Sequence, residues 1–231
     1  MGESAKLGGV LPVFQTPWRE DETLDREILQ REIDWLFDEC KVDGIVMAMV
    51  SEVLRLDTAE RRELAEEACR CAGGRGAVVV SVGAESSHVA EGLTKHAEQA
   101  GATAVMAIPP VSIAVGDDEL LRYYERVIRA AALPVVVQDA SGYVGRPMSI
   151  DLQARLLREF GRDKVMFKPE ATPIGPRLSA LRDATDEQAR IFEGTGGIAL
   201  VDSHRRGIVG TMPGADLARA IVSLWLSLIH I

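Results

Sequence analysis

Short apolar runs and longer amphipathic stripes alternate along the whole chain. The runs fall at 9–14, 44–49, 77–82, 104–108, 134–138, 165–168, 190–193 and 207–210. Between and after them, segments with apolar residues three and four apart cover 25–37, 57–72, 86–100, 117–131, 150–159, 176–184, 197–205 and 215–225. An apolar run without alternation suits a strand buried on both faces, whereas a stripe at helical spacing suits a helix with one face on a core. In 25–37 the stripe is Ile28, Leu29, Ile33 and Leu36. In 117–131 it is Leu120, Leu121, Tyr124, Val127, Ile128 and Ala131, behind acidic residues at the end where a helix dipole favours them. Asp57 with Glu60 three positions on makes a capping-box start, and Gly101 stops the segment before it.

Strands and helices in this order fit either a doubly wound sheet or a closed barrel, and eight units favour the (β/α)8 TIM barrel, an α/β fold. No low-complexity linker and no second compositional zone interrupts the rhythm, so residues 1–225 are read as one barrel domain. The end differs. Leu226-Ser227-Leu228-Ile229-His230-Ile231 has no helix stop signal and no polar tail. It is also what the DNA string CTGTCTCTTATACACATC would encode, which resembles a transposon end used in sequencing libraries. Residues 226–231 are therefore expected to be a non-native tail on a chain that naturally continues past Trp225.

Composition narrows the partners. Of 231 residues, 47% are hydrophobic and 26% charged, a globular balance, and the net charge of −9 argues against nucleic acid or an anionic membrane as partner. A small acidic substrate stays open, because a local pocket can be positive within an acidic protein. Cys40, Cys69 and Cys71 form no regular framework and read as free thiols of a reducing compartment. Residues 1–6 lack a signal pattern and no apolar run reaches membrane-spanning length, so the expected location is the cytoplasm.

In a βα barrel the site lies at the carboxyl ends of the strands. Those ends supply one lysine, in Val165-Met166-Phe167-Lys168-Pro169-Glu170, and no histidine; His88, His96 and His204 fall in helical segments and His230 in the tail. A histidine-built metal site is poorly supported and no flavin motif is present, so neither metal nor organic cofactor is expected. Side chains alternate along a strand, which puts Lys168 and Glu170 on one face. A lysine in an apolar pocket loses proton affinity and can attack a carbonyl to form a Schiff base, although a strand-end lysine more commonly just reaches solvent. Gly194-Thr195-Gly196-Gly197 and Gly210-Thr211-Met212-Pro213-Gly214 suit either a phosphate cradle or ordinary turns.

Several of these motifs carry a family likeness. They are the start Gly9-Val10-Leu11-Pro12-Val13-Phe14-Gln15-Thr16-Pro17, Ser51-Glu52 after strand two, Pro109-Pro110 after strand four, and Lys168 with its following carboxylate. In this order along eight βα units they resemble the dihydrodipicolinate synthase/N-acetylneuraminate lyase family, over about residues 6–225. The resemblance implies a barrel followed by a helical C-terminal region that is missing here. It also implies a Schiff base between Lys168 and pyruvate or another 2-oxo acid, and assembly as a dimer or tetramer.

Two departures redirect the likeness. The family loop after strand two usually reads Gly-Thr-Thr-Gly-Glu; here Ala48-Met49-Val50-Ser51-Glu52 stands there, leaving Ser51 as the hydroxyl for a substrate carboxylate. Many members carry Tyr-Asn-x-Pro after strand five, its tyrosine a proton shuttle. Here the run is Gln138-Asp139-Ala140-Ser141, and an amide cannot exchange a proton near neutral pH. The combination looks more like the 2-keto-3-deoxy-sugar-acid dehydratase branch. On that likeness Lys168, Glu170 and Gln138 are the expected catalytic residues, with Glu170 as acid/base and Glu52 or a water on Ser51 behind it. Val50, Ser51, Glu52, Gly194 and Thr211 are the expected substrate-binding residues, and Met49, Val111, Tyr143 and Met212 are expected to set pocket size. Three alternatives stand beside a Schiff-base lyase. They are 4-hydroxy-tetrahydrodipicolinate synthesis proper, a phosphate-binding barrel isomerase or aldolase, and a non-catalytic barrel that binds a 2-oxo acid.

Overall fold

In the computed structural model, which describes residues 7–230, eight parallel strands are each followed by a helix. The strands are β1 (Gly9–Val10), β2 (Gly44–Met47), β3 (Ala77–Ser81), β4 (Ala104–Ala107), β5 (Val135–Asp139), β6 (Val165–Pro169), β7 (Phe192–Glu193) and β8 (Gly210–Thr211). The helices are α1 (Arg26–Asp34), α2 (Thr58–Ala72), α3 (Ser87–Ala100), α4 (Asp117–Ala130), α5 (Ile150–Phe160), α6 (Ile174–Asp183), α7 (Leu200–Arg205) and α8 (Ala218–Ile229). β2 to β6 pair in sequence order, and β1, β8 and β7 pair in that order. Bridges Val13 to Val46 and Phe167 to Ile191 join the two sets into a ring, backed by Val46 N donating to Pro12 O at 2.8 Å and Phe167 N to Arg190 O at 2.9 Å. The expected (β/α)8 barrel is the observed fold.

Strand parity divides the apolar residues into two cores. Val46, Val79, Ala104, Met106, Val136, Met166, Phe192 and Met212 form the inner one, filling the barrel. Their neighbours Ile45, Met47, Val78, Val80, Val105, Val135, Val137, Val165 and Phe167 face outward and join the helix stripes, among them Leu29, Ile33, Leu64, Leu93, Tyr124, Val127 and Leu178. That double burial is why the strands read as unbroken apolar runs.

Several boundaries differ from expectation. The run 9–14 yields only a two-residue strand, because Pro12 has no N–H for the ladder and the chain rejoins its neighbours at Val13. The eighth strand sits at Gly210–Thr211, not at 207–210, since Gly207 closes the α7 turn by donating to His204 O. Thr211 is thus a strand residue. α1 widens into a π turn over Trp35–Glu39. α8 runs through Ile229 with no break at Trp225, while residues 1–6 and Ile231 lie outside the described residues. Among the described residues no helix is long and apolar enough to cross a membrane.

The start of α2 shows local and tertiary preferences agreeing. Asp57 accepts from the amides of Ala59 and Glu60 at 2.7 and 2.8 Å, and Glu60 returns a bond to Asp57 N. Substituting Asp57→Ala should remove about 1 kcal/mol and lower the melting temperature by about 2–4 °C, as read by thermal unfolding.

Candidate active site

The mouth of the barrel holds a cavity of about 330 Å³ whose floor is β5 and β6. Register pairs Gln138 with Lys168 and Asp139 with Pro169, and Glu170 N donates to Asp139 O at 2.9 Å, so the extended path continues to Glu170. Lys168 and Glu170 share the inward parity of Met166, and Gln138 that of Val136. From α4, the buried Tyr124 hydroxyl lies 3.1 Å from Ala107 O and 3.3 Å from Gln138 O, tying down the ends of β4 and β5.

The three expected catalytic side chains meet. Lys168 Nζ lies 2.8 Å from Glu170 Oε1, and the two residues are only 4% and 2% exposed. Gln138 Nε2 donates to Glu170 Oε2 at 2.6 Å. A carboxylate can only accept, so this contact fixes which end of the amide faces Glu170. Gln138 Oε1 is left buried with no partner. Gly194 completes the wall. A Cβ there would fall 2.6 Å from Glu170 Oε1 and 2.8 Å from Lys168 Cε, so only glycine lets β7 approach the pair this closely.

The expected substrate-binding residues divide. Val50 and Gly194 border the cavity, together with Val13, Ala48, Met49, Tyr143, Gly196, Met212 and Gly214. Ser51 does not. Its hydroxyl is fully buried, donating to Phe14 O at 2.6 Å and accepting from Ala48 N, which ties the second loop to the segment after β1. Glu52 also lies elsewhere. It sits at φ 60° with its carboxylate on Trp18 Nε1 at 3.2 Å and Arg55 Nη1 at 2.8 Å, outside the cavity wall. Nor does Thr211 reach the cavity, for it has the outward parity and donates to Glu193 Oε2 at 2.5 Å.

Glu193 is the residue that sequence reasoning missed on this side. It is 1% exposed and accepts from the Thr195 amide at 2.6 Å, the Thr195 hydroxyl and the Thr211 hydroxyl. Three donors of the glycine-rich loops, the Thr195 amide and the Thr195 and Thr211 hydroxyls, are thus held by a carboxylate. Parity along β7 could have shown it: Phe192 fills the barrel, so Glu193 turns away and Gly194 turns in.

Tyr143 covers the cavity from the loop after β5. Its hydroxyl lies 3.4 Å from Gly194 O. Burial first, then the carboxylates of Glu170 and Glu193, push its phenol above the ordinary range, so it faces the cavity as a neutral hydroxyl. Val111, also expected to shape the pocket, is not part of the wall and instead donates its amide to Glu85. Among the described residues no cluster of three or more His, Cys, Asp or Glu side chains is placed to hold a metal. Chemically the site offers one amine, one carboxylate beside it, one amide and one phenol, surrounded by apolar walls.

The model of the dihydrodipicolinate synthetase family matches residues 6–200. The protein named "Probable 2-dehydro-3-deoxy-D-pentonate aldolase YjhH" from Escherichia coli (strain K12) is 31% identical over 65% of this chain and 50% of its own length. L-2-keto-3-deoxyarabonate dehydratase from Azospirillum brasilense is 30% identical over 94% of this chain and 72% of its own. The chain thus spans half the length of the first of these relatives. Among solved structures, YagE from Escherichia coli K12, in complex with pyruvate, superposes with a TM-score of 0.88 at 22% identity, covering 98% of this chain and 76% of that one.

The loop bearing Tyr143 is pinned at both ends by one side chain. Asp139 accepts from Ser141 N and Met148 N, each at 3.1 Å, and Arg177 Nη2 lies 3.8 Å from it while donating to Met148 O at 2.5 Å. Substituting Asp139→Ala should speed amide hydrogen exchange over 141–148 by roughly tenfold, the scale of one lost charge-assisted bond, with β2 and β3 unchanged.

Proposed function

The chain belongs to the dihydrodipicolinate synthetase family, and on that premise we propose that it is a Schiff-base-forming lyase of small 2-oxo acids, acting through Lys168 as a 2-keto-3-deoxy-sugar-acid dehydratase or aldolase. The observation that carries this reading is the buried Lys168–Glu170 pair on the cavity floor. A lysine ammonium must lose a proton before it can attack, and Glu170 is in direct contact to take it. Nζ adds to the 2-oxo carbon, and Glu170 returns the proton as the carbinolamine oxygen leaves as water. The iminium then draws electrons from the neighbouring carbon. Loss of a C3 proton gives the enamine, which expels hydroxide from C4 with a proton supplied; alternatively the C3–C4 bond breaks as the C4 hydroxyl loses its proton. In each route a single carboxylate beside the imine serves both directions of proton transfer.

Main-chain N–H groups at Met49 and Val50 begin a short 3-10 turn and have no acceptor within it, so they, rather than the Ser51 hydroxyl, are the groups proposed for the substrate carboxylate. Gln138 supports Glu170 and does not shuttle protons, which disfavours a standard synthase step. Glu193 disfavours the phosphate-binding reading, because an anion at the β7 and β8 loops would meet a buried carboxylate that already holds the Thr195 and Thr211 donors.

Borohydride reduction in the presence of pyruvate should add the mass of the reduced pyruvyl group at Lys168, located by peptide mass spectrometry. Lys168→Ala should give no adduct. Intact Lys168 with no adduct across a panel of 2-oxo acids would count decisively against the reading. Glu170→Gln should slow adduct formation by about 10²-fold or more, the usual contribution of a positioned acid/base. Gly194→Ala should also slow trapping at least tenfold, with circular dichroism unchanged, by pushing the pair apart.

A further inference from the structure

Gly194-Thr195-Gly196-Gly197 forms part of the wall beside the reactive pair, and such a stretch has little conformational preference of its own. Gly196 and Gly197 both take the left-handed conformation, at φ 68° and 88°, and β7 ahead of them is only two residues long. Gly194 nonetheless sits so near the pair that a Cβ on it would fall 2.6 Å from Glu170 Oε1 and 2.8 Å from Lys168 Cε. A restraint from outside the glycines has to hold it there.

Glu193 is placed to be that restraint. Its carboxylate accepts from the Thr195 amide at 2.6 Å and from the Thr195 hydroxyl, so the two residues flanking Gly194 are tied to each other. Its second oxygen accepts from the Thr211 hydroxyl at 2.5 Å, and Met212 N donates to Glu193 O at 2.8 Å, which anchors the tie to β8. Thr195 Oγ1 carries it onward by accepting from Ala199 N at 3.3 Å, just before α7. Hydrogen bonds to an ionised carboxylate are stronger than neutral ones, and at 1% exposure water does not compete for these. Tyr143, whose hydroxyl lies 3.4 Å from Gly194 O, rests on the same peptide. We propose that Glu193, which does not line the cavity, is a positioning residue for the Schiff-base step: it holds Gly194 against Lys168 and Glu170 and so keeps amine and carboxylate in contact. This role rests on the Schiff-base reading. It concerns the pair and not the Met49 and Val50 amides proposed for the substrate carboxylate, so its loss should appear in the limiting rate and not in half-saturation.

Borohydride trapping at Lys168 across a range of pyruvate concentrations reads both quantities. Glu193→Ala should lower the limiting rate by about tenfold or more, with half-saturation within about twofold of the parent. A glutamine accepts at one end of its amide and donates at the other, so Glu193→Gln should keep the tie and stay within about threefold of the parent rate. A glutamine variant as slow as the alanine one, or a loss confined to half-saturation, overturns the proposal. Competitive labelling with acetic anhydride needs no substrate and reads the lysine directly. In Glu193→Ala, Lys168 should label about threefold faster or more relative to Lys164, which lies at the opposite end of β6 with Nζ on Leu133 O at 2.8 Å. An unchanged ratio, equal gains at both lysines included, overturns the local role. Absence of any adduct in the parent sinks the Schiff-base reading instead, and the labelling ratio then decides the positioning by itself. Should Glu193→Ala fail to fold, Thr211→Val removes one of the three bonds and carries the same two measurements; a change of about threefold is expected in each, and none in either overturns the proposal.

Discussion

A lysine ammonium and a carboxylate 2.8 Å apart, both nearly out of water, set the terms for the rest of the mouth of this barrel. Neither charge is tolerable there alone, and removing one leaves the other buried and uncompensated. The pair therefore needs a frame that holds it closely. β6 supplies both partners by remaining extended to Glu170. β5 supplies Gln138 on the free carboxylate oxygen, and the position just after β7 supplies a glycine where any side chain would collide with both. Each of these three contacts depends on neighbouring strands being in one register, which the inner core of Val136, Met166 and Phe192 enforces.

Around the pair the polar groups are divided by parity into two sets with different work. Inward residues face the cavity and are few. Outward ones tie loops to the scaffold: Thr211 and Thr195 to Glu193, and Asp139 to both ends of the segment that carries Tyr143. Ser51 does the same for the second loop through Phe14. Hydroxyls and carboxylates that look like binding groups in the sequence are thus partly consumed in shaping the backbone, and the cavity wall is correspondingly apolar. That wall strengthens whatever electrostatics the pair exerts on a bound molecule, because little solvent competes.

Much was legible in the chain before any coordinates. Its alternation of doubly buried runs with helical stripes is a physical consequence of a parallel barrel covered by helices, so strand and helix order, the barrel and the placing of Lys168 at a strand end followed from pattern alone. The same-face relation of Lys168 and Glu170 also followed, from the two-residue period of a strand. Boundaries were less legible. Pro12 and Gly207 act through particular ladder bonds and turns, and the apolar pattern does not register these.

Which polar residues face the cavity was decided by tertiary structure. With the eighth strand at Gly210–Thr211 and not at 207–210, Thr211 is an outward strand residue and a partner for Glu193, and the left-handed conformation at Glu52 leaves its side chain on Trp18 and Arg55. Tyr143 belongs to an irregular loop with no periodicity to indicate its direction; its position over the pair comes from Asp139 and Gly142 packing against β6. By itself the sequence determined the architecture and the amine, because both arise from local period and strand order. The final arrangement of acid, amide and hydroxyl partners depends on contacts between segments far apart in the chain, and those exist only once the ring has closed.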